Sequence, residues 1–411
     1  MSRIGSLPRM LTLLWILLGF SPILLGQVDE WPCWRGSNRD GKSTDTGLLK
    51  EWPEGGPTLL WKVSDIGRGF STVAVTGGFI YTTGDVDRKL MLFAFDMDGT
   101  PGWKVPVDAA WTRSHPGSRS TPTVDDDRLY VLSGNGILAC FDAKTGEKNW
   151  SKDVKRYGGR PGGWGYAESV LIYDNLAIVK PGGRSCVVAL DKMTGETVWQ
   201  SKGFAAGPEY SSCVPFTFEG IPMIATGTKA GIACFSLKTG QALWSNDWCA
   251  RNTANCPDPA VSDGYVFWAN GYRKGGICLK LTASADTVSA EEVWTTKEMD
   301  CHHGGYILHE GYIYGNHGGG WSCLDLKTGE RKWNERAVGK GSVCFADGML
   351  YLFSERGGRA ALATCSPEGL SVKGNVTVEG TGTSWAHPVV IGGRLYLRYA
   401  DNLYCFDVKA K

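Results

Sequence analysis

The sequence predicts an all-β protein, an eight-bladed β-propeller of four-stranded antiparallel blades that is closed by pairing of its N- and C-terminal strands. Three observations predict this fold. Glycine accounts for 56 of the 411 residues and tryptophan for 17, which suits short strands and tight turns better than long helices. A phrase ending in Thr-Gly and Trp recurs along the chain. The two ends of the chain carry complementary parts of one further repeat.

The first 26 residues are typical of a secretory signal peptide. Arg3 and Arg9 form a basic start, residues 10–25 are largely apolar, and Leu24 with Gly26 provides a cleavage site. The alternative is a membrane anchor, but a span usually needs about 20 apolar residues, and this run is shorter and contains a proline. The pattern therefore predicts an exported protein, periplasmic or extracellular, with no membrane span in the mature chain.

The residues after the signal divide into two parts. Gln27 stands where a bacterial lipoprotein needs a cysteine, so no lipid anchor is expected. Residues 27–58 form an N-terminal lead-in segment, and residues 59–411 form the propeller. The chain has 43 basic and 42 acidic residues and no basic stripe, which argues against a nucleic-acid partner.

The recurring phrase indicates a hairpin. In its clearest copy, Phe141-Asp142 is followed by Thr145-Gly146 and Trp150. The Asp opens a turn and the Gly takes the positive φ that closes it, so the apolar residues and the Trp lie on adjacent antiparallel strands. Other copies end at Trp103, Trp199, Trp244, Trp294 and Trp333, and a copy around Thr364 and Gly369 has no Trp.

The spacing of the phrases indicates propeller blades. The six tryptophans are 39 to 50 residues apart, close to the ~40–45 residues of a four-stranded blade. A second hairpin lies upstream of each phrase, with turns such as Gly77-Gly78, Asp125-Asp126 and Asp347-Gly348. Two hairpins per repeat give four strands.

The chain ends complete the count of eight. The C-terminus stops after Leu403–Asp407, where the phrase should continue into its last strand, and Leu59–Val63 supplies such a strand. One shared blade would close the ring and remove its open edges. The alternative, a pair of β-sandwiches, would require a linker, and no Pro- or Ser-rich linker interrupts the repeats.

The repeats resemble the Trp-docking repeats of the PQQ-like, quinoprotein alcohol dehydrogenase-like propellers over roughly residues 30–410. Exported PQQ-like repeat proteins are also similar in the segments Trp31–Gly36, Trp164–Ser169 and His302–Gly305. The resemblance implies one of two functions. One branch consists of dehydrogenases that hold pyrroloquinoline quinone (PQQ) and Ca²⁺ on the funnel face, and the other, such as the lipoprotein propeller of outer-membrane assembly, binds proteins.

The sequence departs from the dehydrogenase branch. It has no adjacent Cys-Cys pair and no Cys-x-x-Cys-His haem motif. The loop that in the dehydrogenases supplies a Ca²⁺-binding Glu is Pro181–Ser185, without a carboxylate. Since Ca²⁺ needs 6–8 oxygen ligands, PQQ with calcium is disfavoured, and Asp300, which lies where the family places its catalytic base, is a base only if the protein is a dehydrogenase.

A ligand-binding funnel is expected on the face formed by the connections between blades and the loops between second and third strands. Polar and aromatic residues concentrate there, and five of the six histidines fall on this face. The candidate funnel residues are Arg119, Trp164, Tyr166, Glu168, Tyr210, Asn255, His302, His303, Trp385 and His387. Glu168 is equally compatible with a solvated strand end, and the tryptophans with packing between blades.

Two further features concern metals and disulfides. His302, His303 and His317 could bind Zn²⁺ or Cu²⁺, but consecutive strand residues point to opposite sides, so a polar or structural role is the alternative. Of thirteen cysteines, Cys249 and Cys256 flank a short loop and form the best candidate pair for a disulfide.

Two functional hypotheses follow. The first is an exported binding or scaffold propeller that engages a protein or glycan through its funnel face. The second is a PQQ- or metal-dependent alcohol dehydrogenase-like oxidoreductase. The missing calcium carboxylate and haem motif favour the first.

Overall fold

A computed structural model describes Met1 and residues 30–285 and 287–411 of the chain. The predicted signal peptide, apart from Met1, lies outside the described residues. The described chain forms eight four-stranded sheets in which neighbouring strands are antiparallel, so the predicted eight-bladed propeller is confirmed. Among these residues the helical element is one 3₁₀ turn, Val154–Tyr157, and no helix is long and apolar enough to cross a membrane.

Blades 1 to 4 each use four consecutive strands. Blade 1 contains β2 Ala74–Thr76, β3 Phe79–Val86, β4 Lys89–Asp96 and β5 Pro101–Ala109. Blade 2 contains β6 Thr123–Asp125, β7 Arg128–Leu132, β8 Ile137–Asp142 and β9 Lys148–Asp153. Blade 3 contains β10 Leu171–Tyr173, β11 Leu176–Val179, β12 Val188–Asp191 and β13 Thr197–Gln200. Blade 4 contains β14 Val214–Phe218, β15 Ile221–Thr228, β16 Gly231–Ser236 and β17 Ala242–Asn246.

Blades 5 to 7 repeat this order, and blade 8 joins both ends of the chain. Blade 5 contains β18 Ala260–Ser262, β19 Tyr265–Asn270, β20 Gly275–Ser284 and β21 Thr287–Thr296. Blade 6 contains β22 Tyr306–His309, β23 Tyr312–His317, β24 Gly320–Asp325 and β25 Arg331–Glu335. Blade 7 contains β26 Gly341–Ala346, β27 Met349–Ser354, β28 Arg359–Thr364 and β29 Val372–Thr377. Blade 8 contains β30 Val389–Ile391, β31 Arg394–Tyr399, β32 Asn402–Asp407 and β1 Thr58–Val63.

The ring closes as predicted, through β1 and β32. Their antiparallel register pairs Leu59 with Phe406 and Val63 with Leu403. Trp61 of β1 then packs on blade 1 in the way that other blade tryptophans pack on the following blade. Its indole Nε1–H donates to Met97 O at 3.0 Å, and a Cβ added to Gly99 would lie 2.8 Å from its ring. The first strand therefore completes both a sheet and a contact between blades.

Docking of a tryptophan onto the turn of the next blade explains the repeated Thr-Gly and Trp. The Trp150 indole covers Gly195, where an added Cβ would lie 2.8 Å from the ring. Trp150 Nε1–H also donates to Lys192 O at 3.1 Å. Glycine is needed at this turn for two reasons, since Gly195 has φ +73° and the indole leaves no room for a side chain. The phrase thus determines the packing between blades as well as the hairpin.

The lead-in segment crosses the face that carries the turns within hairpins, here called the turn face. Trp31 exchanges backbone hydrogen bonds of 2.8 Å with Val75 of blade 1. Further along, Ser43 N–H donates to Phe345 O of blade 7 at 2.8 Å, and Leu49 N–H donates to Val408 O beyond blade 8 at 2.8 Å. The segment therefore spans the central channel between these contacts and covers its mouth on the turn face.

Candidate functional site

A cavity of about 290 Å³ occupies the opposite face, here called the funnel face. Its walls come from the connections between blades and from loops between second and third strands. The lining residues used below are Trp34, Phe70, His115, Arg119, Trp164, Tyr210, Cys256, Tyr272, His302, His303, Lys340, Glu355, Arg356 and Trp385. A volume of this size suits a small ligand or one segment of a larger one.

The floor of this cavity is Trp34 of the lead-in segment. Its indole Nε1–H donates to Asp258 Oδ2 at 2.6 Å, and Asp258 Oδ1 accepts the backbone N–H of Ser212 at 2.6 Å. The ring also packs against His387, with centroids 4.5 Å apart. Burial raises the pKa of Asp258, although Arg35 acts in the opposite direction. The floor is therefore joined by hydrogen bonds to two different connections between blades.

Two buried arginines of the lead-in segment fill the channel beneath Trp34. Arg39 is 2% exposed and donates to the carbonyls of Ser169 at 3.1 Å, Val170, and Cys213 at 3.2 Å. Arg35 donates to Tyr306 O at 2.6 Å. A buried guanidinium with its hydrogens bonded to carbonyls is strongly held, so the channel is closed on the turn face.

Trp385 lies at the centre of the aromatic wall. Its ring is stacked on His303, with centroids 4.1 Å apart and an interplanar angle of 18°. Phe70 and His115 contact it at 4.4 and 5.2 Å. On the other side, Trp164 meets Tyr210 edge-on at 5.7 Å. The cavity therefore presents flat apolar surfaces with polar edges.

Cys256, His302 and His303 form a cluster on the cavity wall. Their ligand atoms all lie within 4.8 Å of one another. Both ring nitrogens of His302 and the Nδ1 of His303 are buried without a hydrogen-bond partner. Burial lowers the pKa of His302 to about 3, with Lys340 acting in the same direction, and burial likewise lowers the pKa of His303 far below its ordinary value. Burial therefore favours the neutral form of both imidazoles.

Six of the ten predicted funnel residues line the cavity: Arg119, Trp164, Tyr210, His302, His303 and Trp385. The other four, Tyr166, Glu168, Asn255 and His387, are buried beside it. Tyr166 OH donates to Pro181 O at 3.1 Å. His387 has its ring nitrogens 2.9 Å from His303 O and 3.5 Å from Arg35 Nη1. These two residues support the cavity without lining it.

Glu168 is a buried carboxyl and not a solvated one. It is 2% exposed, and its Oε1 accepts the backbone N–H of Lys180 at 2.5 Å while Oε2 has no partner. Burial raises its pKa to about 7, although Lys180 acts in the opposite direction. The Lys180 ammonium donates to Ser211 O at 2.7 Å and Gly227 O at 2.6 Å. Glu168 therefore neither lines the cavity nor lies at a solvated strand end, the two positions that the sequence leaves open.

Asn255 holds the loop that carries Cys256. Its Oδ1 accepts the N–H of Ala250 at 2.8 Å and its Nδ2 donates to Ala250 O at 2.9 Å. Its own backbone N–H donates to Glu209 Oε2 at 3.0 Å. The side chain is thus fully engaged in loop structure, because a buried amide must satisfy both its donor and its acceptor.

Asp300 and His317 lie together outside the cavity lining. Asp300 Oδ1 accepts the backbone N–H of Arg273 at 2.8 Å, and Asp300 N–H donates to His317 Nδ1 at 3.1 Å. Since His317 is engaged there, it does not join His302 and His303. Those two histidines precede β22, which begins at Tyr306, so strand alternation does not separate their rings, whose centroids lie 3.7 Å apart.

The predicted disulfide between Cys249 and Cys256 is not formed. Both residues are free thiols, as are the other eleven cysteines in the sequence. Cys249 Sγ contacts Lys229 O at 3.7 Å, whereas Cys256 belongs to the histidine cluster. The two thiols therefore contact different groups, although the residues flank one loop.

Several site residues were not predicted from the sequence. In the sequence, Trp34 belongs to an N-terminal motif and Cys256 to a candidate disulfide, and neither pattern indicates a cavity. Tyr272 and Arg356 belong to no motif that singles them out. Their position in the repeat could have identified Tyr272 and Arg356, because both lie in loops between second and third strands, which are expected on the funnel face. Nothing local indicates that Trp34 reaches the channel.

Comparison with known families and structures agrees with this fold. The family model described as outer membrane protein assembly factor BamB matches residues 53–201 and 89–335. BamB of Moraxella catarrhalis superposes with a TM-score of 0.62 at 16% identity, covering 86% of this chain and 98% of that chain. The quinohemoprotein alcohol dehydrogenase of Comamonas testosteroni gives 0.66 at 13% identity, covering 93% and 81%. At such identities the likeness shows the fold alone.

Sequence relatives fall into the same two groups. The quinone alcohol dehydrogenase subunit of Komagataeibacter europaeus is 27% identical over 36% of this chain, which spans 22% of that protein's length. BamB of Burkholderia pseudomallei (strain K96243) is 22% identical over 63% of this chain and 64% of its own length. Because the family model covers more than half of the sequence, the chain belongs to the PQQ-like propeller family whose model is described as outer membrane protein assembly factor BamB.

Proposed function

We propose that this chain is an exported, non-catalytic binding propeller whose funnel cavity takes a saccharide that carries an anionic group. The observation that supports this most directly is the cavity itself, which is closed below by Trp34 and walled by Trp164, Tyr210 and Trp385. Sugar rings have apolar faces and polar rims, and aromatic surfaces with polar edges complement both.

The charges around the cavity favour an anion. Arg119, Lys340 and Arg356 line it, and Glu355 is the one carboxylate among the described lining residues. Glu355 is already paired with Lys340, whose Nζ lies 2.7 Å from its Oε2. A uronate or sulfate group would therefore meet excess positive charge from Arg119 and Arg356.

A protein ligand is the other form of this proposal, suggested by the relatives described as assembly factors. The large exposed apolar side chains that the structure describes, such as Leu59, Met193 and Val293, lie on different blades. Dispersed apolar residues do not form the contiguous patch that usually marks a protein interface. A concave aromatic cavity suits a saccharide better.

Screening of neutral, uronate-bearing and sulfated oligosaccharides, followed by calorimetry, tests the proposal. Tyr272→Ala and Arg356→Glu at the cavity should each weaken binding about tenfold or more. Tyr173→Ala and Lys238→Glu, whose residues lie at turns on the opposite face, are matched controls that should change affinity less than about twofold. If no saccharide binds while crosslinking from the cavity captures a protein, the ligand class is wrong.

A quinone-dependent dehydrogenase is the second candidate, because the matched relatives include quinone alcohol dehydrogenase subunits. The residues present do not fit calcium-bound PQQ. Ca²⁺ requires several oxygen ligands, usually including carboxylates, and the carboxylate on the described cavity wall, Glu355, is bonded to Lys340. A bound quinone chromophore and alcohol-dependent dye reduction after addition of PQQ and Ca²⁺ would establish this candidate over the first.

A further inference from the structure

The geometry points to a zinc site formed by Cys256, His302 and His303 on the wall of the funnel cavity, with a fourth coordination position open to the cavity. The site goes beyond the proposed saccharide binding and does not depend on it. It also differs from the metal site expected from the sequence, because Cys256 takes the place of His317.

The donor atoms are already near one another. All lie within 4.8 Å of each other, whereas tetrahedral zinc, with bonds of about 2.0–2.3 Å, holds its ligand atoms roughly 3.3–3.6 Å apart. Side-chain rotations that close the cluster by at most about 1.5 Å would complete the geometry. Two neighbouring connections between blades supply the ligands, so the site would join blades 4, 5 and 6.

The cysteine is held in place on both sides along the chain. Asn255 precedes it and is fixed by two hydrogen bonds to Ala250. Asp258 follows two residues later and accepts from Ser212 N–H and Trp34 Nε1–H, each at 2.6 Å. A ligand on so constrained a loop is positioned before the metal arrives, which favours binding.

The unpartnered nitrogens of the histidines are the independent observation. His302 is 6% exposed, and neither of its ring nitrogens has a hydrogen-bond partner. The buried Nδ1 of His303 also lacks one. A buried polar group without a partner is costly and rare in folded proteins. A coordinated metal would satisfy a nitrogen of each ring at once.

The chemistry of the three side chains selects zinc. Imidazole nitrogens bind metals in their neutral form, and a cysteine sulfur binds as the thiolate. One thiolate and two imidazoles are typical zinc ligands, and three protein ligands with an open position characterise catalytic or ligand-binding zinc. A copper site with His₂Cys ligands commonly adds a weak axial methionine, and no methionine is among the described residues that line the cavity.

The open position would face the space proposed for the saccharide. An oxygen of a carboxylate, sulfate or hydroxyl group could occupy it in place of water. Lys340 also lines the cavity, and its charge is balanced by Glu355, whose Oε2 lies 2.7 Å from the Lys340 Nζ. The metal would thus add positive charge on the same side of the cavity.

Metal titration of the reduced, chelator-treated full chain tests the site without any saccharide. We expect one Zn²⁺ per chain, and with Co²⁺ a near-ultraviolet thiolate-to-cobalt absorption band. Cys256→Ser should abolish that band and weaken zinc binding by about 100-fold or more, and His302→Ala should weaken binding similarly. His317→Ala is the matched control, because it removes a nearby histidine of blade 6 that is not a proposed ligand. This variant should keep its affinity for zinc within about twofold of the unaltered chain.

A measurement on the unaltered chain tests the site without variants, whose loss of zinc binding could result from misfolding. Zn²⁺ should protect Cys256 from alkylation selectively, as read by peptide mass spectrometry, while the reactivity of Cys249 remains unchanged. The proposal is overturned by the absence of stoichiometric zinc binding, by a cobalt complex without a thiolate band, or by a loss in His317→Ala as large as in His302→Ala. Zinc binding without saccharide binding would refute the proposed function alone, and the reverse result would refute this site alone.

Discussion

The ring of Trp52, in the lead-in segment, lies 6.1 Å from that of Tyr351 in blade 7, at an interplanar angle of 55°. Within blade 2, Tyr130 and Trp150 have nearly the same relationship, at 6.1 Å and 56°. Trp150 belongs to its own blade, whereas Trp52 comes from a segment outside blade 7. The one described repeat whose phrase lacks a tryptophan is therefore completed by a residue from elsewhere in the chain.

Gly374 explains why the replacement fits. The pairing of Ala361 with Asn375 places Gly374 opposite Leu362, at the position that Trp150 occupies opposite Cys140 in blade 2. A Cβ on Gly374 would lie 2.5 Å from the Cβ of Trp52. The missing side chain thus leaves the space that the lead-in tryptophan fills.

Replacing Trp52 with alanine should destabilise the whole ring. Trp52 is 4% exposed, and loss of a buried tryptophan costs about 3–5 kcal/mol of unfolding free energy. Trp52→Phe should recover part of this loss. Denaturant unfolding measures the effect, and Val372→Ala, at an exposed position of β29, is the control with an expected change below about 0.5 kcal/mol. A loss of unfolding free energy for Trp52→Ala as small as that of the control would contradict the conclusion that Trp52 takes the place of the missing blade 7 tryptophan.

Arg39 should contribute far more to stability than an exposed cation of the same segment. Arg39→Met leaves the carbonyls of Ser169, Val170 and Cys213 without their donor, which we expect to cost about 2–4 kcal/mol. Lys50→Met breaks an ion pair of 2.8 Å with Asp347 in which the lysine side chain is 58% exposed. Such a pair contributes about 0–1 kcal/mol. Equal losses of unfolding free energy for the two variants would contradict the conclusion that Arg39 is held in the channel by its buried hydrogen bonds.

Glu168 should make stability depend on pH. Its folded pKa of about 7 exceeds the ordinary value of 4.5, so the folded chain holds a proton that the unfolded chain releases between these values. The stabilising contribution of this group is complete below about pH 4.5 and is lost as the pH rises through about 7.

Glu168→Gln removes that dependence, because the amide keeps an acceptor for Lys180 N–H and carries no charge. Relative to the unaltered chain, the variant should gain about 1–3 kcal/mol between pH 5 and pH 8. Glu196→Gln, at a carboxylate that is 77% exposed, should show a constant difference below about 0.5 kcal/mol. Unfolding curves at several pH values provide the comparison, and a flat difference for Glu168→Gln would refute the buried-proton interpretation.

The thiol count offers a direct check of the cysteines. Unfolding without reductant should expose thirteen titratable thiols. A bridge between Cys249 and Cys256 would lower that number by two. A sample reduced before unfolding provides the reference value. Peptide mass spectrometry of the alkylated chain identifies the pair if the two counts differ.

The blades could be predicted because their chemistry is local. Asp142 accepts the N–H groups of Lys144 and Thr145 at 3.0 and 2.7 Å, and Gly146 at φ +73° closes the same turn. All of these contacts lie within a few residues of one another. Repeated along the chain, they reveal the hairpins, their number and the closure between Leu59 and Phe406.

The cavity was only partly predictable, because distant contacts form it. The sequence by itself determined the ring, its two faces and the concentration of aromatic and histidine residues on one of them. Only the tertiary structure decided that Trp34 is the floor, through a hydrogen bond to Asp258, 224 residues away, and that Cys256 rather than His317 approaches His302. Periodicity specifies which residues share a face, but it carries no information on how a non-repeating segment packs against the completed ring.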